Sequence, residues 1–294
     1  MNTATLTHVA PRLRIQQSPA LRRFLRHRLA VIGTITILTM VLLVIVGPWL
    51  MPFEPTAINI RNRFLPPLDG THLLGTDPLG RDTLTRLLHA GRISLAVGFS
   101  VMILSMAIGI FVGTIAGFYG GALGAALMRF VDAMLCFPPI FLLLAISALI
   151  NPSVTSIIIL ISAASWMEIA RVVEAQVRSL KERDYAVAAE ALGANDRRII
   201  LREILPNAVA PIVVAATLNV ASAILAESYI SFLGFGVQPP TPSWGNMLQD
   251  AQGYLRSAPW LAIIPGIAIT LAVTSFNFIG DGLRDALDPR MDNR

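Results

Sequence analysis

A single lysine, Lys181, follows Leu180, so the chain has no Gly-x-x-x-x-Gly-Lys-[Ser/Thr] loop to cradle nucleotide phosphates. His8, His27, His72 and His89 show no H-E-x-x-H or other paired spacing, which leaves no metal set. The one cysteine, Cys136, stands in an apolar run, where it packs as a small hydrophobe. No Gly-x-Ser-x-Gly elbow is present, so an intramembrane hydrolase has no visible catalytic set. What remains is polar chemistry inside apolar segments. Thr270, Thr274, Asn277 and Asp281 fall at i, i+4, i+7 and i+11, one stripe of a helix. Asn219, Ser222 and Glu227 face broadly one way on another. A polar group in a membrane is costly unless it meets a cavity or a partner. These residues are candidates either for a translocation path or for hydrogen bonds between helices. Glu227 can also anchor an outer loop. Ser105, Gly109, Gly113, Gly117 and Gly121 recur every four residues, a spacing that brings two backbones close, within the chain or between subunits.

The elements that carry these residues are membrane spans. Of the 294 residues 54% are hydrophobic and only 14% charged, with a mean hydropathy of +0.66. That excludes a disordered chain, a basic nucleic-acid-binding domain and an ordinary cytosolic enzyme. A spanning helix needs about 20 mainly apolar residues. Six such segments are expected, at residues 29–50, 94–116, 133–150, 154–173, 208–226 and 260–279. The first is too long for a signal peptide and ends in Gly47-Pro48-Trp49 rather than a cleavage site. The glycines of 117–121 read as a turn, and Asn151-Pro152-Ser153 as the break between spans three and four. Glu168 and Arg171, three apart, can pair on one face. With the N-terminus inside, 17 of the 23 Lys and Arg residues lie on the inner side, which sets both termini in the cytoplasm. Six arginines (Arg12, Arg14, Arg22, Arg23, Arg26, Arg28) form a basic tail over residues 1–28, held against anionic lipid at about 1 kcal/mol each.

Residues 174–207 are more than a turn needs. Asp184 begins a helical pattern with Tyr185, Ala188, Ala189 and Leu192 at i, i+3, i+4 and i+7. Its alanines keep the helix thin enough for another surface to approach closely. Gly193 ends it, and Asn195 or Asp196 can cap a second helix carrying Ile199, Ile200 and Ile204. The pattern fits a surface hairpin or a docking element equally. On the outer side, Asp77 and Pro78 can start a short helix whose Leu84, Leu87 and Leu88 lie on the membrane interface. The proline-rich stretch 237–244 is a rigid loop, a lid or a contact for a delivery protein.

The run Tyr185-Ala186-Val187-Ala188-Ala189-Glu190-Ala191-Leu192-Gly193-Ala194, with Ile204-Leu205-Pro206-Asn207, resembles the "EAA" loop of ABC-type importer permeases. Four further blocks resemble the dipeptide, oligopeptide and nickel branch. They are Gly75-Thr76-Asp77-Pro78-Leu79-Gly80-Arg81-Asp82; Ser231-Phe232-Leu233-Gly234; Pro242-Ser243-Trp244-Gly245; and Gly280-Asp281-Gly282-Leu283-Arg284-Asp285 before Asp288-Pro289-Arg290. The chain is most similar to the "C"-type subunit. The resemblance implies an all-α membrane protein, a type I ABC importer permease-like bundle, in a bacterial inner membrane. It implies a homologous second permease, two ATP-binding subunits that hold the ATP and magnesium, and an extracytoplasmic substrate-binding protein. No cofactor and no nucleic acid are expected on this chain. Asp184, Tyr185, Ala188, Ala189, Leu192, Gly193 and Ala194 would seat in a cleft of the ATPase. The substrate implied is a di- or oligopeptide. The alternatives are nickel, or an ion-driven secondary transporter, which would need charges deep in its spans. Val187 departs from the family, standing where a glutamate is usual.

Overall fold

The computed structural model describes residues 19–151 and 153–287. Arg12, Arg14, Pro152 and the Asp288-Pro289-Arg290 block lie outside the described residues. The order is α1 (Pro19–Arg26), α2 (Arg28–Leu50), α3 (Thr83–Tyr119), α4 (Gly121–Leu135), α5 (Pro139–Ser147) and α6 (Val154–Lys181). Then come α7 (Asp184–Ala191), α8 (Asp196–Arg198), a π-helical turn (Ile199–Ile204), α9 (Leu205–Phe232), α10 (Trp244–Ala251) and α11 (Trp260–Leu287). Five helical stretches are long and apolar enough to cross a membrane, and α4 with α5 makes a sixth if the bent pair is one span.

The apolar stripe of α2 explains its place. Ala30, Gly33, Ile37, Val44 and Gly47 are buried, while Ile35, Leu38 and Leu42 on its other faces are exposed. Gly33 lies against α11, where an added Cβ would come within 2.7 Å of the Ser275 carbonyl. Pro48 has no N–H, which frees the Val44 carbonyl of its helical donor. Arg92 of α3 replaces it. Its Nε donates to Val44 O at 2.6 Å and its Nη2 to Ile45 O at 2.7 Å.

The four-residue ladder on α3 packs within the chain. A Cβ on Gly109 would meet Ile169 at 2.7 Å, one on Gly113 the Ala170 carbonyl at 2.5 Å, and one on Gly117 the Glu174 carbonyl at 2.7 Å. α3 therefore lies directly on the backbone of α6, the close approach that small residues permit. Gly121 leaves the ladder, because Gly120 at φ +58 turns the chain into α4.

Three expectations need correction. Span three is not a helix over 133–150. α4 and α5 meet at a bend of 80° in Cys136–Pro138, and the bent apolar pair begins at Gly121. Phe137 precedes Pro138, and Pro138 precedes Pro139, so neither residue favours helix geometry. The short outer helix at Asp77 is absent, because Gly80 takes φ +72 with the Asn59 backbone pressed where a Cβ would sit. α3 starts instead at Thr83, capped by Asp82, and Leu84, Leu87 and Leu88 are its first turns. Finally, Arg171 reaches Asp132 of α4 at 3.6 Å, not Glu168. Helices α6, α9 and α11 also run beyond their expected ends, to Lys181, Phe232 and Leu287.

Candidate functional site

At one end of the bundle, α7 is a two-turn helix hung between α6 and α9. Lys181 fixes its root, with Nζ donating to Phe118 O at 2.8 Å and standing 5.0 Å over the Phe118 ring. Gly193 at φ +80 ends α7 in a Schellman turn. Ala194 N donates to Ala189 O at 3.0 Å and Gly193 N to Glu190 O at 2.9 Å. Asn195 caps the next helix through Oδ1, which accepts from Arg198 N at 2.9 Å.

The packed face of α7 is not the one the spacing suggested. Ala186 is buried, with Ala189 and Ala194 beside it, against Ile199, Ile204 and Ala208. Asp184, Tyr185, Val187, Ala188 and Glu190 face out, and Leu192 is 89% exposed. Nothing within 4 Å meets a Cβ built on Gly193. The helix thus offers an unpartnered apolar knob on a rigidly capped turn.

At the opposite end of the bundle the polar residues are enclosed. Glu227 is fully buried. Ser94 Oγ of α3 donates to its Oε2 at 2.9 Å, and Ser231 Oγ to its Oε1 at 2.7 Å. Ser94 Oγ also accepts from Trp244 N at 3.2 Å, and Ser231 Oγ from Val237 N at 3.1 Å. One carboxylate therefore ties α3, α9, the 233–243 loop and α10 together. Asn219 is also buried, at 7% exposure, apart from the open face. Ser222, Thr270, Asn277 and Asp281 are exposed and Thr274 is half-buried, so the α11 stripe faces away from this chain's own core.

Two features carried no signal strong enough to find from sequence. The first is a buried charge cluster. Asp77 accepts from Arg81 Nε at 2.5 Å and from the Leu79 and Arg81 amides at 2.8 and 3.0 Å. Asp250 of α10 meets Arg81 Nη2 and Arg86 Nη2, each at 3.3 Å. Burial pushes the Asp250 carboxyl above the usual carboxylate range, against the pull of Arg86 and Arg81. Asp82 accepts from Thr85 N at 2.7 Å and pairs with His72 Nδ1 at 2.9 Å. The charges at 77–86 were visible as a motif, but Asp250 joins them from 164 residues away. The second is an open groove of about 740 Å³ between α6, α9 and α11, bordered by Gln176, Asn207, Pro211 and Arg284. Pro211 lacks the N–H that would bond Asn207 O, the one local hint of it.

The family described as binding-protein-dependent transport system inner membrane component matches residues 109–293. The N-terminal TM domain of oligopeptide transport permease C matches residues 18–67. The chain belongs to the family of binding-protein-dependent transport system inner membrane components. It is 42% identical over 272 residues to the dipeptide transport system permease protein DppC of Alkalihalophilus pseudofirmus, covering 92% of this chain and 89% of that one. It is 40% identical over 273 residues to DppC of Haemophilus influenzae, covering 91% and 92%. It is 41% identical to the oligopeptide transport system permease protein OppC of the same organism, covering 92% and 88%. The protein is a multi-pass membrane permease, as the motifs implied.

Proposed function

We propose that the chain is one of two unlike permease subunits of an ATP-driven importer for short peptides in the bacterial inner membrane, with both termini cytoplasmic. The peptide substrate follows the names of the relatives that align along nine-tenths of this chain. ATP and magnesium belong to two ATP-binding subunits, and an extracytoplasmic binding protein delivers the peptide to the outer loops.

One observation carries the mechanism: the exposed, glycine-capped helix α7 at the inner end. A short rigid helix rooted on α6 and α9 transmits a push from a bound subunit as a rigid-body motion of those spans. Asp184, Tyr185, Ala188, Leu192, Gly193 and the partly covered Ala189 and Ala194 form the contact. Ser222, Thr270, Thr274 and Asn277 supply the polar side toward the second permease and the path. Glu227 acts within the chain, between its helices, and Asn219 keeps a buried Oδ1 with no partner among the described residues.

The test is uptake of a labelled dipeptide by cells that carry the rest of the transport system and a variant of this subunit. Gly193→Asp abolishes uptake while membrane insertion is unchanged. Gly193→Asn, which tolerates the left-handed turn, retains most of it. Normal uptake by Gly193→Asp removes the docking role, and uptake that persists without ATP removes the ATP-driven reading.

A further inference from the structure

Beside α7 lies a second surface of different chemistry. Gly193, Ala194, Asn195, Arg197, Arg198, Leu201 and Arg202 border a concavity of about 420 Å³. Its three arginines are all exposed. Among the described residues none of them meets a carboxylate within 4 Å, although Asp196 and Glu203 are their neighbours in sequence. Arg198 and Arg202 stand one turn apart on the same helical face, an arrangement of like charges that weakens an isolated helix. The stretch between them is π-helical, with Leu205 N bonded to Ile200 O. Such turns recur at functional sites because they re-aim side chains. The charges gain nothing from the chain itself, and an approaching anion would relieve their repulsion.

Height above the bilayer decides which anion. Asp196–Phe232 runs as one helical stretch of 37 residues. The apolar part begins at Ala208, so at no more than about 1.5 Å per residue along the helix Arg202 lies up to about 9 Å before it and Arg197 up to about 16 Å. The headgroup layer on each side of a bilayer is only about 5–8 Å deep. The concavity also shares Gly193 and Ala194 with the turn that ends α7. A partner seated on that turn borders the concavity directly.

We propose that this concavity is the electrostatic half of the docking surface, and that it receives a carboxylate-bearing segment of the ATP-binding subunit. The inference rests on the coupling role of α7 and adds the chemistry of the partner. The apolar knob at Leu192 fixes position, and the arginines steer approach and exclude partners of the wrong charge.

The test uses the whole transport complex, expressed from its own genes and purified through this subunit in mild detergent. Arg197→Glu/Arg198→Glu/Arg202→Glu lowers the recovered ATPase at least tenfold, and the triple lysine variant retains it. Raising salt from 50 to 500 mM strips ATPase from the wild type, and the triple alanine variant loses that salt dependence. Unchanged recovery in the triple glutamate variant overturns the proposal. Leu192→Asp separates the two readings. If it releases the ATPase while the glutamate variant does not, α7 docks and the arginines have no part. If neither releases it, the coupling reading falls as well. Reconstitution in nanodiscs of phosphatidylcholine alone gives the last arm. A defect in the glutamate variant that appears only with anionic lipid assigns the concavity to headgroups and overturns the proposal.

Discussion

The two ends of the helical bundle are built on opposite plans. At the end that the proposed topology sets outside, carboxyl groups are matched inside the chain: Glu227 by two serine hydroxyls, Asp77 and Asp250 by two arginines, Asp82 by a backbone amide and His72. At the end it sets inside, three arginines and an apolar knob remain unmatched. The first arrangement is closed in its ion pairs as folded, with Arg86 Nη1 and Thr83 Oγ1 left without a hydrogen-bond partner among the described residues. The second is complete only in an assembly. A buried charge without a partner is costly, so the enclosed charges of this cluster are paired within the chain, while the exposed ones are free to wait for another chain. Stability should therefore depend on the outer end and transport on the inner.

The largest effect tests the enclosed end. Glu227→Ala removes the acceptor of two buried hydroxyls and leaves a void between α3, α9 and α10. Lost buried hydrogen bonds and a cavity together amount to about 4 kcal/mol. The thermal midpoint in detergent falls sharply, and Glu227→Gln, which keeps an acceptor, recovers part of it. An unchanged midpoint for the alanine variant would sink the anchoring role.

Next comes the seam between the ends. Gly113→Val drives a side chain into the Ala170 carbonyl, 2.5 Å from its Cβ. Backbone cannot yield as a flexible side chain can, so the loss is about 2–3 kcal/mol, read in the same melt. Gly121→Ala is the control for space, since nothing lies within 4 Å there, and only the positive φ opposes it.

How much of this was visible in the sequence follows from the range of the forces involved. The spans were legible because each is a local apolar run, and α6, α9 and α11 differ from expectation only in reaching further into polar flanks. The glycine turn at Gly193 and the cap at Asn195 were legible because capping is settled within a few residues. The path of span three was not, since apolar length says nothing of direction and the bend sits at Pro138-Pro139 inside the run. Asp77 looked like a helix start. Its carboxylate instead folds a loop back on Arg81, and only the contact of Gly80 with Asn59 reveals why. Glu227 was singled out as a candidate, but its partner Ser94 is 133 residues away, beyond any local pattern. The glycine ladder was seen with its partner open, and the structure supplies α6.

A smaller effect is expected in the outer charge cluster. Asp250→Ala leaves Arg81 and Arg86 sharing Asp77, and Arg86 is only 4% exposed. Asp250 is 37% exposed in its side chain, and water screens part of the interaction. The cost is about 1–2 kcal/mol, again as a lowered thermal midpoint. The double variant with Arg81→Ala should lose less than the sum of the two single variants, because the residues share partners. Strict additivity would mean that the cluster does not act as a unit.

The smallest effect on folding is the sharpest test of the contrast. Leu192→Ala removes a side chain that is 89% exposed and takes no part in the buried cluster under α7. Surface changes of this kind move stability by under about 0.5 kcal/mol, so the melt should superimpose on the wild type. Dipeptide uptake should nevertheless fall, because the apolar knob is what the inner end offers its partner. The two variants then form a crossed pair. Glu227→Gln lowers the melt and spares the transport of the molecules that remain folded, while Leu192→Ala spares the melt and lowers transport. If Leu192→Ala instead transported normally, the exposed face of α7 would be a solvated surface, and the inner end would need no partner to be complete.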